Sequence, residues 1–133
     1  CQSMTDQLSN NLLEDATALP GDAISFLLPS GREVRLMDVV LDVPSPLGRA
    51  VRFRFLSTEL AQEKPEAAAL FTDMEYLCNR YALAKSEEVS PDAEQIVISL
   101  SAAPLAFGQA SDDIAQYFEA FSRQGQTCEW DAF

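Results

Sequence analysis

The clearest hydrophobic pattern in the chain is a two-residue alternation between residues 33 and 56. The apolar residues occupy even-numbered positions up to Leu36 and odd-numbered positions from Met37, so the parity of the alternation changes at Leu36–Met37. Such a slip indicates a β-bulge, because one extra residue returns the apolar side chains to the same face. After a loop that contains Pro and Gly, apolar residues alternate with arginines again; these apolar positions are Val51, Phe53 and Phe55. The pattern predicts an antiparallel hairpin over 33–56 with one buried and one solvated face.

Three shorter segments have the length and pattern of strands. Residues 24–28 form an apolar run that Pro-Ser-Gly ends, and residues 95–101 and 127–132 alternate apolar with polar positions. Together with the hairpin, they predict a small antiparallel sheet.

Two segments have a helical period instead. From about 65 to 83 apolar residues recur every three or four positions, and Pro65 suits the first turn of a helix. From about 112 to 123 a second stripe follows Ser111, a good N-cap residue. This second stripe comprises Ile114, Tyr117, Phe118 and Phe121. We therefore predict an α+β fold, a sheet packed on two helices, within one domain over 21–133.

The first residues are expected to form a polar tether, 1–20, ahead of that domain. Most residues in this segment are polar, which is typical of a chain with too little apolar area to order itself, although Leu8, Leu12, Leu13 and Ala16 have the spacing of a short helix. Cys1 is the residue that remains when a lipoprotein signal peptide is cleaved, and it then carries the lipid. We expect lipidation at Cys1 and thus a periplasmic or membrane-anchored protein. The alternative is that Cys1 is merely where the numbering starts.

The two other cysteines form an even pair, as expected of an exported chain with one structural disulfide. A bond between Cys78 and Cys128 would stabilise the fold by about 4 kcal/mol in the chain-entropy treatment. The alternative is two unconnected buried thiols in a cytosolic protein. The spacing excludes a CxxC redox motif, and the sequence has no His to complete a metal site.

Composition narrows the function further. The 133 residues carry a net charge of −12, which disfavours nucleic acid and anionic membrane surfaces as direct ligands because both attract clustered Lys and Arg. The absence of His removes the commonest general base and the Ser-His and Cys-His nucleophile pairs. We therefore predict no cofactor, no metal and no catalytic residue.

The positive charge is concentrated, since five of the nine Lys and Arg residues fall within 32–54. Arg35, Arg52 and Arg54 lie on the predicted solvated face of the hairpin and could bind a partner or an anion through their forked donors. The alternative is a solvated ladder of cross-strand ion pairs with Glu33, Asp38 and Asp42.

Other candidate chemistry is weak. Three acidic pairs, Glu87–Glu88, Asp92 with Glu94, and Asp112–Asp113, could serve acid/base hydrolysis or bind calcium, but no calcium-loop motif accompanies them. No phosphate loop or Gly-x-Ser-x-Gly elbow is present. The larger aromatic residues are predicted to be core rather than a ligand cage; these are Phe53, Phe55, Phe71, Phe118, Phe121 and Trp130.

Six segments together carry a resemblance. They are the hairpin 33–55, residues 73–78, 95–100, 104–108 and 117–121, and the closing run Cys-Glu-Trp-Asp-Ala-Phe at 128–133. In this order the segments resemble an uncharacterised family of small exported alphaproteobacterial proteins. The resemblance covers about a hundred residues, is most specific in the closing run and leaves out residues 1–20. It implies export and a shared fold, and it brings no catalytic residue to this chain.

The sequence thus favours a non-enzymatic, exported interaction module whose partner is another envelope protein. The acidic surface and the Arg-bearing hairpin would set its specificity. The alternative is a small hydrolase or ligand-binding domain that uses only carboxylates and Arg. A hydrolase of this kind needs a concave pocket with at least two convergent acids, whereas an interaction module needs a flat or ridged patch.

Overall fold

The computed structural model describes residues 17–20, 24–45, 48–61, 66–103 and 115–131. In these ranges seven strands form one mixed sheet, and one long helix packs against it. The strands are β1 (Thr17–Pro20), β2 (Ser25–Leu27), β3 (Glu33–Ser45), β4 (Gly48–Leu56), β5 (Gln95–Ser101), β6 (Gln116–Gln124) and β7 (Thr127–Trp130). The helix, α1, covers residues 67–89, and a short 3-10 turn, Thr58–Ala61, precedes it.

The sheet is mixed, not antiparallel as the sequence predicted. Its strand order is β1-β3-β4-β5-β6-β7, and β2 pairs with the same strand as β1. Every pairing is antiparallel except β4 with β5, which is parallel. The reason is α1, which lies between these two strands in the chain and supplies the long crossover that a parallel pair requires.

The predicted hairpin is confirmed as β3 and β4. The register shifts between Leu36 and Asp38, where the parity of the sequence slips, so the predicted bulge is confirmed as well. A second shift lies between Val40 and Val43. The alternation places Phe53 and Phe55 against α1 and Arg52 and Arg54 on the opposite face.

The predicted second helix over 112–123 is wrong, because residues 116–124 form strand β6. Its aromatic residues recur every three or four positions, as on a helix, but a strand also places Tyr117 and Phe121 together toward the core and Phe118 on the opposite face. The lateral pairing decides the outcome, since β6 hydrogen-bonds to β5 on one side and to β7 on the other. The fold is therefore mostly sheet with one described helix, instead of a sheet on two helices.

Helix α1 is confirmed but runs longer than the predicted 65–83. It consists of an α-helical part, Ala67–Leu77, a π-helical turn, Cys78–Ala82, and a second α-helical part, Leu83–Val89. The wider π turn inserts residues into the helical repeat and changes which face later residues occupy. Both parts consequently bury residues against the sheet. Cys78, the first residue of the π turn, still follows the repeat of the first part, four positions after Met74, and is completely buried.

The core lies between α1 and one face of the sheet. Its largest fully buried side chains include Phe53, Phe55, Met74, Leu77, Ile96, Ile98, Leu100 and Phe121. The prediction that the aromatic residues lie in the core is wrong for two of them: Phe118 is 62% exposed and Trp130 is 48% exposed.

The three shorter strand predictions are confirmed as β2 within 24–28, β5 over 95–101 and β7 within 127–132. Thr17–Pro20, at the end of the predicted tether, forms β1 and pairs with β3. Cys1 and the predicted short helix at 8–16 lie outside the described residues.

The predicted disulfide is confirmed: the Sγ atoms of Cys78 and Cys128 lie 2.06 Å apart. The bond ties the π turn of α1 to β7, the last described strand in the sheet order. Next to it, the side-chain oxygen of Asn79 accepts a hydrogen bond from the Cys128 backbone N–H at 2.8 Å. Because outward-pointing N–H groups of an edge strand attract other strands, this bond helps to protect the edge.

A second contact fixes the other end of α1. Nη2 of Arg123 donates to Oγ of Ser86 at 3.0 Å, and Nη1 donates to the carbonyl oxygen of Pro91 at 3.1 Å. Arg123 also brings positive charge to the C-terminal end of the helix, where it is favourable. We expect Arg123→Ala to lower the free energy of unfolding by about 1–2 kcal/mol in urea denaturation.

Arg80→Ala is the matched control for this prediction, because Arg80 is exposed on the same helix and its loss changes the net charge equally. It should alter stability by less than about 0.5 kcal/mol. Equal effects of the two variants would mean that net charge, and not the contact with the helix end, is responsible.

Candidate functional site

A groove of about 630 Å³ crosses the face of the sheet that lies opposite α1. It passes over β4, β5 and β6 and reaches the end of β7. Its lining is mostly apolar, with polar groups at a few positions. The residues that line it include Arg52, Gln95, Val97, Phe118, Ala120 and Asp131.

Four of these residues lie in one row across the strands. Arg52 pairs with Val97, and Val97 pairs with Ala120. Asp131 is the next residue in this row, because its backbone N–H donates a hydrogen bond to the carbonyl oxygen of Ala120 at 2.9 Å. Adjacent strands are about 4.8 Å apart, so the Cα atoms of Arg52 and Asp131 are about 14 Å apart. The groove therefore has a cation at one end, an anion at the other and small apolar residues between.

Arg52 forms the positive end of the groove. Its guanidinium carbon lies 5.2 Å from the centre of the Phe118 ring, a cation–π contact that covers one face of the charge. Nη2 reaches Oγ of Ser99 only at 3.5 Å, and the buried Nε has no hydrogen-bond partner. Among the described residues no carboxylate forms an ion pair with Arg52.

The surroundings of Arg52 are unfavourable for its charge. Burial lowers the pKa of the Arg52 guanidinium, and the nearby charge of Arg54 lowers it further, whereas Asp38 raises it. Arginine nevertheless remains protonated under ordinary conditions. A half-buried cation with unused donors is therefore well suited to a negatively charged ligand group.

Asp131 forms the negative end and is held in place. Nε2 of Gln95, a fully buried side chain, donates to Oδ2 of Asp131 at 3.0 Å, and Oγ of Ser122 donates to the same oxygen. Among the described residues neither a hydrogen bond to Oδ1 nor an ion pair with this carboxylate is formed. The protein thus orients the carboxylate through one oxygen and leaves the other able to accept from a ligand.

The structure separates the three arginines of the predicted patch. Arg54 forms an ion pair with Asp38 at 2.7 and 3.1 Å, which is one of the cross-strand ion pairs that the alternative interpretation predicts. Arg35 is exposed and pairs in register with Leu56, outside the groove. Only Arg52 of the three lines the groove.

The predicted acidic pairs do not form a reaction site in the described residues. Glu87, Glu88, Asp92 and Glu94 are exposed and lie outside the groove, and Asp112–Asp113 lies outside the described residues. Glu119 lines the groove but accepts a hydrogen bond from Nε1 of Trp130 at 2.7 Å. In the described ranges no three Asp, Glu, Cys or His side chains gather in a way that could hold a metal ion.

Sequence reasoning missed the two residues that complete the groove, Phe118 and Asp131. The sequence pattern places Phe118 in a helix core and Asp131 only on the polar side of the last strand. A signal for Asp131 was present, because the alternation over 127–132 places it opposite Cys128 and Trp130. The pairing of β7 with β6, which brings that side chain beside Gln95, had no signal in the sequence.

The fold and the groove define a small, disulfide-linked domain with one mixed sheet, one described helix and a charged groove on the opposite face. The chain belongs to a family of unknown function (DUF6497), which matches residues 8–133. The match confirms that part of the resemblance which assigns the chain to an uncharacterised family. No curated protein and no solved structure matches the chain. No helix among the described residues is both long and apolar enough to cross a membrane.

Proposed function

We propose that this domain is a non-enzymatic interaction module of the bacterial envelope and that its binding surface is the groove opposite α1. The observation that carries the proposal is Arg52. It holds a half-buried charge against Phe118 and has no carboxylate partner among the described residues. Desolvating a charge without pairing it costs stability, so such an arrangement is expected where a ligand supplies the opposite charge.

The disulfide supports the envelope part of the proposal. Structural disulfides form and persist in oxidising compartments such as the bacterial periplasm and are rare in the cytosol. Export and lipidation at Cys1 are proposed with it, and another envelope protein is the proposed partner.

A small-molecule-binding domain is the second candidate, because the groove is concave and has the volume of an ordinary ligand site. The hydrolase alternative has less support. Asp131 and Glu119 both line the groove, but Glu119 belongs to the alternation that faces α1 and is bound to Trp130. The two carboxylates therefore do not converge as paired acid/base catalysis requires.

A site-specific crosslink tests the proposed surface. A photoreactive phenylalanine analogue replaces Phe118 in the full chain, and a second variant carries it at Leu27, which is 68% exposed and outside the groove. In intact cells that make the protein, we expect Phe118 to capture one discrete protein and Leu27 to capture at least ~10-fold less. Adding Arg52→Gln should reduce capture from position 118 by about the same factor, the effect expected of a central anchor.

Equal capture from both positions, or no capture from position 118, would contradict the proposed surface. Turnover of a substrate that is lost with Arg52→Gln or Asp131→Asn would support the hydrolase alternative. A small molecule that copurifies with the protein and is released by Arg52→Gln would support the second candidate.

A further inference from the structure

The two charged ends of the groove specify the chemistry of the occupant. Resting on the proposed function, we propose that the groove binds an extended peptide segment of the partner protein. The segment carries an acidic side chain, a small apolar side chain two positions on and a basic side chain two positions further. The acidic group binds Arg52, the apolar group lies on Val97 and Ala120, and the basic group binds Asp131.

The spacing of the two charged groups along β5 and β6 carries this inference. An extended chain advances about 3.4 Å per residue and points alternate side chains to the same side. Side chains at positions i, i+2 and i+4 therefore face the groove together, and the outer two are about 13.6 Å apart. The Arg52 guanidinium lies at the strand pair Ser99–Phe118 and the Asp131 carboxylate at the pair Gln95–Ser122. These pairs are four positions, about 13 Å, apart along β5, with Val97 and Ala120 between them, so the extended segment fits the two charges.

Other occupants fit this row less well. On a helix, side chains four positions apart are only about 6 Å from each other, so one helix face cannot reach both charges with such a pair. A free amino acid is too short for the same reason. Addition of a strand to the edge at β7 would meet the Asn79 side chain, which already binds the outward Cys128 N–H.

The charge of the whole protein favours a ligand with both signs. At a net charge of −12, the molecule repels a purely acidic peptide over several ångströms. A segment with one acid and one base has no net charge and avoids this repulsion, yet it satisfies both ends of the groove. A purely basic segment would be attracted overall but would leave Arg52 without a counter-charge.

Two peptides of equal composition test the spacing. The probe is acetylated and amidated Gly-Glu-Ser-Val-Ser-Lys-Gly, and the control is Gly-Glu-Ser-Val-Lys-Ser-Gly, in which the charged side chains of an extended chain point to opposite sides. Isothermal titration calorimetry measures the binding of each peptide to the intact protein without a label. We expect the probe to bind at least ~10-fold more tightly than the control, an anchor-sized difference.

Substitutions in the protein test the two ends separately. Arg52→Gln and Asp131→Asn should each weaken probe binding at least ~10-fold, whereas Arg35→Gln, which removes a hairpin arginine outside the groove, should leave it unchanged. Arg52→Glu should reverse the preference, so that a peptide with Lys at both charged positions binds this variant more tightly than the probe.

Each outcome separates the inference from the function on which it rests. Equal affinity for the two peptides, or no reversal in Arg52→Glu, would overturn the peptide assignment. If neither peptide binds but the crosslink at position 118 still captures a protein, the interaction surface stands and the ligand chemistry is wrong. If position 118 crosslinks to the chain itself, a segment of this chain fills the groove and the inference fails.

Discussion

Replacing Cys78 and Cys128 together by Ser should lower the free energy of unfolding by about 4 kcal/mol. The disulfide closes a loop of 49 intervening residues, and opening it restores conformational freedom to the unfolded chain. This loop contains the second part of α1 and both β5 and β6. Since a domain is stable by only about 5–15 kcal/mol, the loss is a large part of the total. Urea denaturation of the oxidised protein and the double variant measures it.

Treating the unaltered protein with a reductant provides the internal control, because it opens the same loop without changing a side chain. The reduced protein and the double variant should unfold at nearly the same urea concentration, whereas Cys1→Ser should leave the midpoint of the oxidised protein unchanged. A loss below about 1 kcal/mol in both would mean that the contacts between α1 and β7, such as the bond from Cys128 to Asn79, hold the two elements together without the covalent link.

The fold was predictable where one period of the sequence had no competitor. The alternation over 33–56 gave the hairpin and even its bulge at Leu36–Met37, because side-chain parity records which face each residue occupies. Over 112–123 the same aromatic residues fit a helix and a strand. The choice between them depends on hydrogen bonds to β5, whose residues are 15 or more positions away, and to β7, which follows after a turn. Local periodicity carries no information about these pairings.

The candidate site was predictable in part for a similar reason. The concentration of arginines in the hairpin pointed to Arg52, since charge and face can be read locally. Which of the arginines forms an ion pair could not be read from the sequence, because Arg54 meets Asp38 only through the register after the bulge. Asp131 and Phe118 join the groove through the lateral order of four strands, and this order includes the parallel pair that the sequence did not indicate.

Asp73 gives the second large expected effect. It is completely buried on the face of α1 that meets the sheet, within an otherwise apolar stripe. Its Oδ1 accepts from the backbone N–H of Ser30 at 3.1 Å, and its Oδ2 accepts from Oγ of Ser30 at 2.5 Å and from Nη1 of the buried Arg32 at 3.1 Å. One carboxylate thus anchors the turn between β2 and β3 to the helix.

Asp73→Ala should therefore lower the free energy of unfolding by about 3–5 kcal/mol, because it leaves a buried guanidinium without this carboxylate and removes two further hydrogen bonds. Asp92→Ala, at an exposed carboxylate in the loop after α1, should change stability by less than about 0.5 kcal/mol. Urea denaturation of both variants at the same pH and salt concentration gives the comparison.

A double-mutant cycle separates the ion pair from simple loss of packing. If the cost of Asp73→Ala comes mainly from the loss of this carboxylate beside the Arg32 guanidinium, then Arg32→Met in the same protein should recover part of it, since a buried ion pair can often be replaced by apolar groups at little net cost. The double variant would then be more stable than the sum of the single losses by at least about 1 kcal/mol. Strict additivity would instead assign the effect to the bonds with Ser30 and to the cavity left in the helix face.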